Sequence, residues 1–359
     1  MWVYIITFSF SIFATYLLDK GNPNGKDYVV KAVGDRGRGK VQVGFNFFKS
    51  LLASMPLIFI STVRWGVGSD FYSYRQEFLG LQDSHKEAVF GYLTKMIRIS
   101  SGSNYTLYLL LFALITTGVT FLAIWDQSDD KALSVFYYLT TTFFFCGLNA
   151  MRQGAAIAIS LYAIKFLYRK KPFWFVFWII IGSLLHESIL ICLIMLFVKN
   201  IDLKPPRVLV ILALLFGFNS QIKSLIEMIA YHTSYYHFFY DQYGITVPLT
   251  YIIMILATFI VATYIKKNYV VDDAFNVYYN YIFAALIIGC ICNWLPMGRR
   301  LMWNFMFVMI LILPKIRTYL SDKNRLFFNV SYGALFFAGM YSNIVINADH
   351  TVVPYHWIL

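Results

Sequence analysis

Charge is what this chain has least of. Only 13% of its 359 residues are Asp, Glu, Lys or Arg, against roughly 25% in soluble domains. So few charged groups could not cover the surface of a soluble fold of this length, and that class is excluded. Cysteine is also scarce. Cys146, Cys192, Cys290 and Cys292 all lie in apolar runs, without metal-ligand spacing to a histidine, so neither a disulfide framework nor a zinc site is expected. There is no P-loop, no dinucleotide fingerprint and no H-E-x-x-H. A Gly-x-Ser-x-Gly elbow is missing too. Nothing supports nucleotide-powered chemistry, and no cofactor or metal is called for. The first apolar stretch, Met1–Leu18, lacks a basic leader and a small-residue cleavage site, so it reads as a retained span.

What the chain has in abundance is apolar surface. It is 59% hydrophobic and 19% aromatic, with a mean hydropathy of +0.62. An all-α, polytopic membrane protein follows. Apolar segments run at about 1–18, 45–63, 105–125, 132–150, 154–168, 173–185, 188–198, 208–228, 248–265, 275–292, 301–314 and 327–345. Several fall short of the ~20 residues that cross a ~30 Å hydrocarbon core, as re-entrant or cavity-lining segments do.

The net charge of +12 reads as the cytoplasmic excess of Lys and Arg, not as a nucleic-acid surface. Twelve segments starting from an external N-terminus put loops 19–44, 126–131, 169–171, 199–207, 266–274 and 315–326 inside. Those loops hold 19 of the 30 basic residues, and both termini fall outside. Residues 173–198 decide the register. As one span they would place Lys199, Lys204 and Arg207 outside and invert everything downstream. Two short helices meeting at Leu185–Ser188 avoid this. The chain reads as one membrane domain over 1–359, with an external interfacial segment at about 64–104 and an external loop at about 229–247. Within the first, His85–Arg98 places Val89, Tyr92, Leu93, Met96 and Ile97 on one helical face, suited to the membrane surface. The second is rich in Tyr and His and suits an interfacial belt.

Arginines on the external side run against the charge rule. Arg64, Arg152, Arg299 and Arg300 all reach that boundary. One arginine can simply snorkel to lipid phosphates. Four at one level suit a pyrophosphate, since guanidinium binds phosphate oxygens in bidentate fashion and keeps its charge. Gly66 and Gly68 precede Asp70 and permit a turn that aims its carboxylate at the same place. His186 stands beside Glu187 between apolar runs, where an ionisable group usually faces a cavity or partner. An imidazole there can take a proton near neutral pH.

These motifs carry a resemblance. Arg64-x-Gly-x-Gly-x-Asp70-x-x-x-Tyr74 followed by Phe78, Asn149-x-x-Arg152-Gln153-Gly154-x-Ala156, and Ser183-Leu-Leu-His186-x-Ser188 occur in order. Together with the ending Val353-Pro354-Tyr355, the set resembles the EpsG-like, Wzy-type bacterial polysaccharide polymerases. Glu187 matches no position of that pattern. The resemblance implies a GT-C-like, metal-independent glycosyltransferase of the bacterial inner membrane. Such an enzyme joins undecaprenyl-pyrophosphate-linked repeat units of O-antigen, capsule or exopolysaccharide on the external side, with a chain-length regulator as partner. Arg64, Arg152, Arg299 and Arg300 would hold the donor pyrophosphate, and Tyr74 and Gln153 would position sugar or phosphate. His186, or else Asp70, would deprotonate the acceptor hydroxyl. The rival classes are a flippase or transporter of lipid-linked glycan, an O-antigen ligase and a membrane O-acyltransferase. A transporter would be expected to show repeat symmetry, and none is evident.

Overall fold

A computed structural model describes residues 1–20, 36–82, 88–199, 201, 205–231, 247–291 and 298–358. Most of the aromatic loop expected at 229–247, and the residues just before Gly298, lie outside the described residues. The described chain is helical, with one isolated bridge between Arg64 and Trp357. Four helices are long and apolar enough to cross a membrane: Trp2–Lys20, Tyr105–Gln127, Leu249–Asn268 and Gly298–Thr318. Lys131–Thr140 and Phe143–Asn149 together would make a fifth, bent by 53°. The bend falls where Thr142 takes a left-handed φ of 68°. The segment expected at 208–228 is divided into Pro205–Gly217 and Asn219–Tyr231. Gly217 stands at the division, and glycine is a weak helix former.

Ion pairs tie the loops at one end of the bundle together. Lys131 meets Asp19, and Asp126 receives both Lys165 and Arg169. Lys315 sits between Asp129 and Asp272. Arg317 binds Asp130, and Lys170 faces Asp273. Residues from five of the six loops that charge alternation puts on one side thus share one end. The sixth joins them through the pair Pro172–Ser183 and Glu187–Val198, whose outer flanks, Lys170 and Lys199, line a single hollow. The pair therefore leaves from and returns to the same end, turning at Leu184–His186, as the register argument requires.

Met151–Ala163 is buried on nearly every side, the pattern of a helix enclosed by other helices. It packs on Pro172–Ser183, on Val119–Gln127 and on a π-helical turn at Leu114–Gly118. Small residues permit that closeness. A Cβ on Gly154 would lie 2.8 Å from Gly147 Cα, and one on Gly147 would lie 2.7 Å from Thr116 Cγ2. With lipid tails as apolar as leucine, cross-helix hydrogen bonds add specificity, on the order of 1 kcal/mol each. Ser11 Oγ donates to Ala53 O at 2.8 Å, Ser134 Oγ to Ile310 O at 2.7 Å and Tyr332 OH to Ala257 O at 2.7 Å.

A helix runs over Ala88–Ser100, within the segment expected at the membrane surface. Val89, Tyr92, Leu93 and Met96 are exposed, while Phe90 and Thr94 are buried against the bundle. Four of the five apolar residues expected on one face are thus uncovered, whereas Ile97 packs against the core.

Candidate active site

At the end opposite the ion-paired loops, the chain after the second helix, Arg36–Thr62, runs beside the C-terminal segment. Ile358 N donates to Val63 O at 2.8 Å and Trp65 N to His356 O at 2.9 Å. Gly68 N donates to Thr351 O and Ser69 N to His350 O, both at 3.1 Å. Gly68 is needed here for two reasons. Its φ is +103°, and a Cβ would stand 3.2 Å from Leu148 O and 3.3 Å from Asn149 Cα. The turn delivers Asp70 to the start of helix Phe71–Leu79. Its side chain does not cap that helix. It lies 35% exposed and faces Arg300, with Oδ2 3.7 Å from Nη2.

Asn149 is the clasp of this centre. Its Oδ1 accepts from Asp70 N at 2.9 Å and from Ser69 Oγ at 3.0 Å. Because the backbone N–H can only donate, the amide orientation is fixed, and Nδ2 faces His350 Nδ1 at 3.2 Å as the donor. The imidazole proton is then on Nε2, which has no hydrogen-bond partner and lies 3.9 Å from Asp349 Oδ2. His350 is 4% exposed, and burial pulls its pKa down to about 4. It is therefore neutral at neutral pH. The backbone around it is held in left-handed conformations, with φ of 50° at Ala348, 66° at His350 and 51° at Thr351. Such strain persists only where the surroundings enforce it.

Asp349 continues the cluster. Its Oδ1 accepts from Arg299 Nη1 at 2.9 Å, with the two side chains 14% and 11% exposed. Tyr251 OH approaches Oδ2 at 3.4 Å. Arg299 and Arg300 open the helix Gly298–Met306. Gln153 Nε2 donates to Arg300 O at 2.7 Å, so this side chain holds the backbone that presents the guanidinium. Arg152 faces the rings of Phe90 at 4.8 Å and Tyr74 at 6.0 Å. Burial raises the pKa of the Tyr74 hydroxyl, and Arg152 opposes that shift.

Arg64 lies deeper than the others. It is 2% exposed, with Nη2 against Met151 Sδ at 3.0 Å. Burial lowers its pKa, and the hydroxyls of Tyr105, Tyr4, Tyr355 and Tyr74 act in the opposite sense. A guanidinium remains a cation even so. Arg64 therefore sits under the loop as a fixed positive charge.

One centre thus brings together Arg64, Asp70, Tyr74, Arg152, Gln153, Arg299 and Arg300. His186 occupies the turn of the short pair, partly buried and extended at φ −158°. Its described link to the centre runs through Ser188, whose carbonyl accepts from Asn304 Nδ2 at 3.1 Å. Asn304 lies one turn beyond Arg300. Sequence reasoning missed Asn149, Asp349 and His350 as members of the centre. Asn149 was visible only as part of a motif. The one signal for the other two was their place just before the Val353-Pro354-Tyr355 ending. Among the described residues no three His, Cys, Asp or Glu side chains gather as a metal-binding set.

The family model described as the EpsG family matches residues 48–357. The chain belongs to the EpsG family. No curated protein and no solved structure matches it. EpsG membership suggests a polysaccharide polymerase-like function and fits the membrane-spanning helices. The match takes in every residue of the centre, from Arg64 through His350 to Trp357, the bridge partner of Arg64.

Proposed function

We propose that this EpsG-family chain is a polysaccharide polymerase that joins undecaprenyl-pyrophosphate-linked repeat units on the external side of the bacterial inner membrane. The observation that carries the reading is a convergence of cations. Arg64, Arg152, Arg299 and Arg300 share one end of the bundle, and Arg300 meets Asp70 only at 3.7 Å, with the two side chains 29% and 35% exposed. Four guanidinium groups gathered at a partly open site suit an anionic ligand.

In the proposed reaction the acceptor hydroxyl oxygen attacks the donor's anomeric carbon. The bond from that carbon to the pyrophosphate oxygen breaks, the proton passes to a base, and undecaprenyl pyrophosphate leaves with the electron pair. A single displacement inverts the anomeric centre. Arg152 and Arg300 receive the pyrophosphate and stabilise the charge that grows on it. Arg299, held by Asp349, and the deeper Arg64 supply fixed field. Asn149 and His350 hold the Asp70 loop and Asp349 in register. Gln153 acts through Arg300, and Tyr74 through Arg152.

Of the two candidate bases, Asp70 stands beside Arg300 in the centre, with Oδ2 3.7 Å from Nη2, and is the one we favour; His186 is the alternative. The wider reading comprises about twelve membrane segments in a GT-C-like arrangement, both termini outside, and a chain-length regulator as partner.

The test is polymer formation in cells. Arg300→Ala and Arg152→Ala should abolish long polymer and leave single repeat units on the surface. Wild-type polymer from both variants, at wild-type protein level, would overturn the proposal. Repeat units stranded on the inner leaflet would instead identify a flippase. For the base, Asp70→Asn and His186→Ala are compared in purified enzyme with lipid-linked substrate. Near-full turnover by Asp70→Asn would remove it from that role.

A further inference from the structure

Just past helix Arg36–Thr62, a small hollow lies between Arg64 and the π-helical turn Leu114–Gly118. Its polar wall is Ser61, Arg64, Thr116 and Thr117, and the rest is apolar, with Phe112 and Met151 among it. Every residue lining it is buried. The hollow measures about 10 Å³, the space of a single water molecule, for which ~10–15 Å³ suffices.

Two atoms of this polar wall, Arg64 Nε and Thr116 Oγ1, are buried without a hydrogen-bond partner among the described residues. The residues that carry them are 2% and 4% exposed. Buried polar groups are nearly always paired, either with protein or with ordered water. Arg64 Nη2 already rests against Met151 Sδ at 3.0 Å, so Nε–H needs an acceptor of its own. The neighbouring hydroxyls are suited to share one ligand with it. Ser61 Oγ donates its hydrogen to Leu57 O at 2.7 Å and keeps lone pairs that can accept. Thr116 Oγ1 can both donate and accept.

The backbone points the same way. Single π-helical turns within α-helices occur frequently at functional sites, and Thr116 belongs to one. A ligand here must be very small, accept one hydrogen bond and donate others. Water meets all three conditions, and a buried water typically makes about three hydrogen bonds.

We infer that this hollow binds one structural water, which accepts from Arg64 Nε–H and donates to Thr116 Oγ1 and Ser61 Oγ. Water satisfies Nε–H without cancelling the guanidinium charge, as a carboxylate would. Thr116 is then a positioning residue, and through the water the π-helical turn fixes the orientation of Arg64. The consequence for turnover rests on the proposed role of Arg64 as a fixed field; the water site itself does not.

The test uses the full chain in nanodiscs. An experimental structure at a resolution that shows ordered water should hold density in the hollow, within hydrogen-bond distance of Arg64 Nε and Thr116 Oγ1. Thr116→Val nearly keeps the side-chain shape and removes the hydroxyl; it should weaken that density and lower Tm by several degrees. Thr116→Ser restores the hydroxyl and should return both. In an Arg64→Met background Thr116→Val should lower Tm much less, because the bridge has already lost its other end. With lipid-linked substrate, Thr116→Val should lower kcat severalfold at little change in KM, and Thr116→Ser should recover it. Unchanged kcat with the water in place would remove the positioning role and leave the site standing. An empty hollow in the wild type, or a Thr116→Val variant with wild-type Tm and undiminished density, would overturn the inference.

Discussion

The two ends of this bundle use charge in opposite ways. At one end, Asp19, Asp126, Asp129, Asp130, Asp272 and Asp322 each meet at least one cation. Loops far apart in sequence are gathered there by mutual neutralisation. At the other, four arginines converge and their described carboxylates are Asp70 and Asp349. Matched charge needs no ligand, and each pair contributes only modestly. Cations gathered in a buried framework are costly, and strained backbone and buried amides hold them in place. The contrast fits the proposed function, in which the arginine end receives an anion.

The largest effect that would break this contrast is loss of an arginine at the arginine end. Arg300→Ala should lower turnover of lipid-linked substrate by roughly 100-fold or more, the scale of removing one preorganised charge from a transition state. A rate within about threefold of wild type would place Arg300 outside the chemistry.

Next comes the carboxylate that holds Arg299 at the arginine end. Asp349→Ala leaves Arg299 partly buried without its partner. Breaking such a pair costs up to about 3 kcal/mol, so Tm should fall by several degrees. Turnover should fall by roughly tenfold as Arg299 loses its fixed position. Asp349→Asn should recover part of the Tm and little of the rate.

His350 gives a pH signature peculiar to this end. Burial holds it near pKa 4, whereas in the unfolded chain it titrates near 6.5. Between these values the unfolded state binds more protons, so stability is complete above pH 6.5 and drains as the pH falls toward 4. The full loss is on the order of 3 kcal/mol. His350→Gln should flatten Tm across that window, and an unchanged slope would mean that His350 is not the group responsible.

The smallest effect belongs to the matched end. Arg325→Ala removes an ion pair with Asp322, which is almost fully exposed. Stability should change by no more than about 1 kcal/mol, and activity should not change. A large loss of activity would blur the distinction between the ends.

Much of the fold was legible because lipid leaves few options: apolar runs must be helical, and basic residues mark one side. The pair around His186 could be read because a single span would have carried Lys199 and the later clusters across the membrane. The helix Ala88–Ser100 could be read from its spacing. The break at Phe218 was hidden inside a continuous apolar run. In the site, the arginines were legible as cations outside the loops where charge alternation gathers the basic residues. Asn149, Asp349 and His350 were not, since their meeting depends on a C-terminal segment folding back across the chain. Their left-handed backbone at Ala348, His350 and Thr351 leaves no periodic trace. Arg64 was legible as a charge, but its depth was not, because burial among tyrosines depends on packing between distant helices.

The most direct test is binding of undecaprenyl pyrophosphate to the full chain in nanodiscs of neutral lipid. Wild type is compared with the double variant Arg152→Ala and Arg300→Ala and with Arg325→Ala at the opposite end. The account predicts binding by wild type and Arg325→Ala alike, and at least tenfold weaker binding by the arginine double variant. Equal affinity in wild type and the arginine double variant would contradict it.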